Sequence, residues 1–446
     1  MPLHAYFFYL TIILLPTQLG LHVWPDWAFV VGRRVDYLSP TLFLTDITII
    51  LTLFFWSISL FKNFHLKKKF HVSFKHHWSA IWRILILMLF IVVNIFFATS
   101  LPVALSKWCK VLEFGLFGLY MVKTKNHVRT IVTVLSIPIL YSSLIGLAQF
   151  FFQHSLGGIY WFLGERTFDI TTPGIARIQI FPFFIIHSSE LLRPYATFPH
   201  PNVLGGFLAI TLPLLINQLS NNPILKLSNK KLKIFLWITV ALGGITLLFT
   251  FSRSALIAGA IGLLLSQYIM KKKQLLNYWY YWIIGLLVLF IFALPYFQTL
   301  TKDSESVYVR HELNIAAIQM ITPQSISFIK NAQHIFFGVG LGNYLVELPK
   351  YYPHRTIFFL QPVHNIYLLL LSEIGILGFG IVFYLLFKLF KTPLHKHQFS
   401  IMHYALCIML LIGLVDHYAL TTQQGQLLLT LFLALNIYED NARSLS

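Results

Sequence analysis

The chain has 446 residues, of which 57% are hydrophobic and 11% are charged. A soluble domain carries about 25% charged residues, so a fully water-facing surface is excluded and a bilayer must solvate much of the chain. The formal net charge of +18 does not point to nucleic acid, because the lysines lie between apolar runs and form no compact basic domain.

The first apolar run spans Leu3 to about Leu19. No Lys or Arg precedes it, and Pro16-Thr17-Gln18 offers no small-residue cleavage site, so it reads as a retained helix and not a signal peptide. With about 20 mostly apolar residues needed per crossing, further runs follow at 40–61, 79–99, 103–122, 130–152, 201–219, 233–251, 254–270, 275–297, 363–387, 399–415 and 419–438. The expected fold is therefore all-α, a polytopic membrane protein with about twelve spanning helices. Cys109 and Cys407 lie within these runs and read as buried, inert thiols.

The connections sort by charge. Lys62 to His77, Lys123 to Arg129, Ser220 to Lys233, Lys271 to Lys273 and Lys388 to His397 are basic and free of Asp and Glu. Asp26, Asp36, Glu165, Asp169, Glu190, Asp303, Glu305, Glu312, Glu347 and Asp416 fall in the other set. The positive-inside rule places the basic set in the cytoplasm. Twelve crossings then make the two sets alternate and put both termini in the cytoplasm.

Residues 1–152 form an N-terminal group of spans. Residues 153–446 form a second region with long extracytoplasmic loops at 153–200 and 298–362. The second loop lies between the ninth and tenth spans. In it Val309, Leu313, Ala316, Ala317 and Met320 recur at helical spacing before Pro323, which predicts an amphipathic helix lying on the membrane surface. Gly338-Val-Gly340-Leu-Gly342 lacks both the dinucleotide and the P-loop spacing and predicts a tight turn. Asp303-Ser-Glu305 reads as solvated charge and not as a metal pair.

Polar groups at the extracytoplasmic ends of spans are the candidate chemistry. Arg193 leads the segment to Asn202 and the sixth span, where a guanidinium suits either a phosphate or lipid headgroups. Arg253 sits in Ser252-Arg253-Ser254 between two apolar runs, where it needs water, a partner or a ligand unless it snorkels to the surface. His364-Asn365 heads the tenth span; a neutral imidazole there can accept a proton from a hydroxyl, or be an ordinary interfacial histidine. Glu373, nine residues on, lies about 180° around the helix and reads as a structural hydrogen-bonding group. Asp416-His417-Tyr418 ends the eleventh span and either orients site residues or caps helices.

The ordered pieces Arg193…Thr197-Phe-Pro-His-Pro-Asn202, Ser252-Arg253-Ser254-Ala255, Gly338-Val-Gly-Leu-Gly-Asn-Tyr344 and His364-Asn365…Glu373-x-Gly375-x-x-Gly378 resemble the bacterial O-antigen ligase and O-antigen polymerase superfamily of membrane glycosyltransferases. The resemblance covers roughly residues 190–420. It implies a GT-C-like helical bundle in the inner membrane, a glycan donor carried on undecaprenyl pyrophosphate, and a metal-independent, inverting transfer without a cofactor. It casts His364 as the base and Arg193 and Arg253 as holders of the pyrophosphate; Arg310 is a candidate further phosphate contact, and Asn202, Asn365, Asp416 and His417 are candidate substrate-binding groups. Gly378 is followed by Phe379-Gly380, where ligases often carry a second histidine. The acceptor therefore stays open among lipid A core, a growing polymer, another envelope glycan and a protein hydroxyl.

A transporter or flippase for a lipid-linked sugar is the rival. That class places ionisable groups near the midplane, where this chain offers mainly Glu113 and Glu373. A non-catalytic scaffold predicts that the Arg and His positions tolerate alanine.

Overall fold

The computed structural model describes residues 1–66, 74–124, 128–179, 190–219, 230–269, 304–322, 328–352, 360–396 and 400–444. The predicted ninth span at 275–297 and the lysines at 271–273 lie outside the described residues. The rest is mostly helical. Helices α1 (Leu3–Ile13), α2 (Leu44–Leu66), α3 (Phe74–Phe96), α4 (Leu101–Lys123), α5 (Val128–Phe152), α6 (Pro201–Leu219), α7 (Lys230–Phe249) and α8 (Arg253–Ile269) come first. Then follow α9 (Ser304–Ile321), α10 (Phe328–Phe337), α11 (Tyr344–Tyr351), α12 (Ile366–Lys396), α13 (Ile401–Ile412), α14 (Tyr418–Thr421) and α15 (Gln423–Ser444).

Five stretches among the described residues are long and apolar enough to cross a membrane: Leu44–Lys62, Val128–Phe152, Pro201–Leu219, Lys230–Phe249 and Ile366–Lys391. Leu3–Ile13, Ile81–Phe96, Arg253–Leu264 and Ile401–Ile412 are apolar but shorter. The first predicted span is thus cut to 11 residues, about 16 Å at helical rise, because Pro16 follows closely. Two other predicted spans are diluted by charge and polarity: α4 carries Lys107, Lys110 and Glu113, and α15 opens on Gln423, Gln424 and Gln426.

The inside-out distribution of side chains suits lipid. Phe54, Ile84, Leu89, Trp237 and Phe383 point outward, a surface that water would penalise and hydrocarbon does not. One continuous apolar core joins Phe8, Ile49 and Phe117 of the early helices to Phe207, Leu406 and Phe432 of the later ones. Cys109 departs from expectation, since it is exposed and not buried, while Cys407 is half-buried.

Among the described residues, three short antiparallel ribbons add to the expected all-α fold: Gly20–His22 with Thr41–Phe43, Phe29–Val30 with Arg33–Arg34, and Arg177–Gln179 with Glu190–Leu192. In the second, Val31 and Gly32 both take positive φ (49° and 72°), which gives the tight hairpin its two-residue turn.

The amphipathic helix forms as α9, but its apolar face does not lie on the membrane. Leu313, Ala316, Ala317 and Met320 are buried against Tyr344, Leu345, Leu348, Val363 and Leu369, so α11 and the start of α12 cover it. The glycine turn that follows crosses α12 backbone on backbone. Gly338 (φ 73°) and Gly375 (φ 62°) meet so closely that a Cβ on either falls within 2.5 Å of main-chain atoms of the other strand. The left-handed φ at Gly375 kinks α12 there. Asn94 pins the crossing: its amide donates to the Phe337 carbonyl (2.8 Å) and the Glu373 carbonyl (3.1 Å), and its oxygen accepts from Trp108 Nε1 (2.9 Å) and Leu341 N (3.1 Å). Glu373 Oε1 accepts from Tyr344 N (3.3 Å), a structural bond as its position on the helix suggested.

Candidate active site

The connections between helices gather at one end of the bundle. Thr197 Oγ1 donates to Pro16 O (3.0 Å), Gln18 Nε2 to Gly164 O (3.0 Å), and Arg193 Nε to Thr250 O (2.7 Å). Together they frame a cavity of about 1420 Å³, lined from the α1–α2 connection, the α5–α6 connection, α4, α9, the approach to α12, and the α13–α15 turn.

Gln149, near the end of α5, organises the turn that delivers the sixth helix. Its amide donates to Glu165 Oε1 (2.7 Å) and Ala196 O (3.0 Å), while its oxygen accepts from Tyr195 N (3.0 Å) and Ala196 N (2.7 Å). Every polar atom of this buried amide is used, which keeps the chain at Arg193 to His200 in one conformation. Arg193 then spans two elements: besides Thr250 O it donates from Nη2 to Asn202 Oδ1 (2.8 Å). Asn202 faces Asp416 with its amide and so links the first turn of α6 to the α13–α14 turn.

Three imidazoles meet here. The rings of His364 and His417 lie 5.0 Å apart at 74°. His200 Nδ1 accepts from Asn202 N (3.1 Å), which leaves its proton on Nε2 in the neutral form. His417 Nδ1 pairs with Thr421 Oγ1 (2.7 Å). His364 Nδ1 is buried with no hydrogen-bond partner among the described residues.

All three are held neutral. Burial pushes His364 down to about 4, helped by Arg310. Burial, then Arg193, His364, Arg310 and Arg166, pushes His200 down to about 3. His417 falls well below its ordinary range through burial and then its neighbours His364, His200 and Arg310. Burial raises the Asp416 carboxyl, while Arg310 and the bonds from His417 N and Asn202 oppose the rise. A cationic wall beside neutral imidazoles favours an anionic ligand, and an anion that offsets Arg310 would strengthen His364 as a proton acceptor.

Arg193, Asn202, Arg310, His364, Asp416 and His417, all singled out in the sequence, line this one cavity. Two others do not. Arg253 begins α8, in the turn whose Thr250 carbonyl anchors Arg193, and is not among the cavity-lining residues. Asn365 was expected to bind substrate; instead its Oδ1 accepts from Tyr367 N (2.9 Å) and Leu368 N (3.1 Å) and caps α12.

Three lining residues around these imidazoles were missed. His200 stands between two prolines in the segment already quoted, a signal that was available. Arg166, whose guanidinium lies 5.8 Å over the Tyr195 ring, and Tyr37, whose ring is 5.7 Å from His417, come from loops with no motif. Burial and Asp416 raise the Tyr37 hydroxyl to about 12, so it stays a neutral donor. Among the described residues, no group of three His, Cys, Asp or Glu side chains is placed to hold a metal ion.

No curated protein matches the chain. Arg253, Arg310, His364 and Asn365 fall within the segment that a family model recognises, whereas Arg193, Asn202, Asp416 and His417 fall outside it. That segment, residues 238–383, matches the model described as O-antigen ligase, and the match supports the O-antigen ligase/polymerase superfamily for this chain.

Proposed function

We propose that this O-antigen ligase-type membrane enzyme moves a glycan from an undecaprenyl-pyrophosphate donor to an acceptor hydroxyl on the extracytoplasmic face. The observation that carries the reading is the single cavity in which Arg193 and Arg310 stand with His364. In the proposed step the acceptor oxygen attacks the anomeric carbon and its proton passes to neutral His364. The bond to the pyrophosphate breaks, and the leaving group departs with its electron pair. A single displacement inverts the anomeric centre without a metal. Pyrophosphate is already a good leaving group, so fixed positive charge matters more than proton donation to it. Arg193 and Arg310 supply that charge; Arg253 acts through the turn that fixes Arg193. Asp416 and His417 orient the two reacting groups.

The face follows from charge. The lining residues Arg166, Arg193, Arg310, His364 and His417 belong to segments assigned to the extracytoplasmic side, opposite the lysine-rich loops. In this reading the chain crosses the inner membrane twelve times with both termini cytoplasmic. Arg193, Arg253 and His364 belong to segments assigned to one face and not to the midplane, which favours an enzyme over a flippase.

The test is binding of undecaprenyl pyrophosphate to the purified chain in nanodiscs. Charge-assisted bonds contribute about 1.5–3 kcal/mol each, so Arg193→Ala and Arg310→Ala should each weaken binding by at least about tenfold. Unchanged affinity in both variants contradicts the assignment.

A further inference from the structure

His200 takes no part in the transfer step described, yet its surroundings fix its chemistry. Pro201 opens α6, so His200 is the N-cap residue. Its carbonyl accepts from Val203 N (3.0 Å) and Leu204 N (3.3 Å), and its Nδ1 accepts from Asn202 N (3.1 Å). Ser, Thr, Asp or Asn would cap the helix at least as well. What a histidine adds is a second nitrogen. A main-chain N–H can only donate, so Nδ1 presents its lone pair and the neutral ring carries its proton on Nε2. Protonating Nδ1 would set two N–H groups against each other at the positive end of α6. The helix terminus therefore holds the ring as a neutral donor.

Nε2 has no hydrogen-bond partner among the described residues, and unlike His364 Nδ1 it is not enclosed. His200 lines the cavity. The groups whose charge reaches it are Arg193, His364, Arg310 and Arg166, three guanidiniums and no carboxylate. Asp416 lines the same cavity but is held by Asn202 and by His417 N (2.9 Å). The Tyr195 ring stands 6.0 Å from the imidazole at 71°, and Gln149 fixes the main chain of Tyr195 and Ala196. A preset N–H donor among three cations suits an anionic oxygen. His200 lies outside the segment recognised by the family model.

We propose that His200 is a further residue of the reaction site, whose Nε2–H binds a phosphate oxygen of the departing pyrophosphate beside Arg193 and Arg310. This rests on the transferase reading. When the bond from the anomeric carbon to the phosphate oxygen breaks, the electron pair stays with the oxygen. Negative charge grows on the phosphate and the bond from Nε2 strengthens. His200 keeps its proton throughout, because losing it would leave an imidazolate. The leaving group departs unprotonated, and the acceptor's proton goes to His364.

Two substitutions separate donation from capping. His200→Ser keeps a cap oxygen for Asn202 N and removes the donor. His200→Gln supplies an amide N–H in place of Nε2–H. Binding of undecaprenyl pyrophosphate and of undecaprenol is measured on the full chain in nanodiscs. His200→Ser should weaken the pyrophosphate at least about tenfold and move undecaprenol by less than about twofold, with His200→Gln within about threefold of wild type for both. Wild-type-like binding by His200→Ser, equal weakening of the two lipids, or a His200→Gln as weak as His200→Ser overturns the assignment. In proteoliposomes kcat for transfer should fall about 10²-fold in His200→Ser and be largely restored in His200→Gln. The binding pattern without any transfer supports the donor role and counts against the transferase reading alone.

Nitrogen NMR of the chain with isotope-labelled histidine, with His200→Gln as the blank, reads the tautomer directly. Nε2 should be of the protonated, pyrrole type and Nδ1 of the pyridine type, before and after undecaprenyl pyrophosphate binds. A pyridine-type Nε2, or a ring protonated on both nitrogens in the complex, overturns the proposal.

Discussion

Replacing His364 by alanine should abolish glycan transfer while the protein still inserts and folds. A positioned general base contributes about 10²- to 10⁴-fold, and His200 is no substitute, because its Nδ1 lone pair already accepts from Asn202 N. The pH profile identifies the group. The base must be neutral, so kcat/KM should fall as pH drops through about 4. The bound donor brings negative charge that offsets Arg310, so the acid limb of kcat should lie higher, toward the ordinary histidine value. Arg310→Gln removes one of the two causes of the depression and should move the acid limb of kcat/KM up as well. Transfer by His364→Ala at the wild-type rate, or an acid limb unmoved by Arg310→Gln, contradicts the assignment.

The second large effect comes from a residue with no side chain. A Cβ on Gly206 would collide with the Tyr418 hydroxyl and lie 2.5 Å from its Cζ. Tyr418 is 2% exposed, at the start of α14, directly after Asp416 and His417. Gly206→Ala must therefore push the α13–α14 turn away from α6. Overpacking of this kind costs about 1–3 kcal/mol, and displacing Asp416 and His417 should also reduce transfer by at least about tenfold, since a 1 Å misplacement can cost about 10²-fold. The Tyr418 hydroxyl has no hydrogen-bond partner among the described residues, so Tyr418→Phe alone should be nearly neutral. Melting curves of Gly206→Ala, Tyr418→Ala and the double variant settle the cause. A collision predicts a double variant more stable than the sum of the two losses; strict additivity contradicts it.

How far the sequence could be read varies with the physical range of each signal. Apolar runs are local, so most helices were legible. Their lengths were not, because Pro16 and the charges of α4 shorten or dilute the spans only once packing fixes which residues they face. The period of Val309 to Met320 announced a helix but not its partner; α11 and α12, not lipid, cover it. His364, Asp416 and His417 were legible as polar groups at the heads of apolar runs. Asn365 stands just before an apolar run, but the sequence does not say whether its side chain turns back onto the helix, as it does, or out to a ligand. Arg253 was conspicuous for its apolar context, yet context does not say which way a turn points.

The remaining features depend on contacts between distant segments. Asn94 stitches residues 337, 341 and 373 together, and Asp46 pairs with Lys110 across 64 positions. Neither bond leaves any trace in spacing. His200 was visible in the sequence but became meaningful only when α6, α9 and α12 brought Arg193, Arg310 and His364 around it.

The most direct test of the central claim is the fate of the lipid-linked donor. Proteoliposomes containing the purified chain receive an undecaprenyl-pyrophosphate oligosaccharide and rough lipopolysaccharide, and both chemistry and leaflet are followed. The prediction is that the oligosaccharide appears on the acceptor, that undecaprenyl pyrophosphate is released in equal amount, and that both products are lost in His364→Ala. Donor that crosses the bilayer unreacted, at the same rate in wild type and His364→Ala, would contradict it.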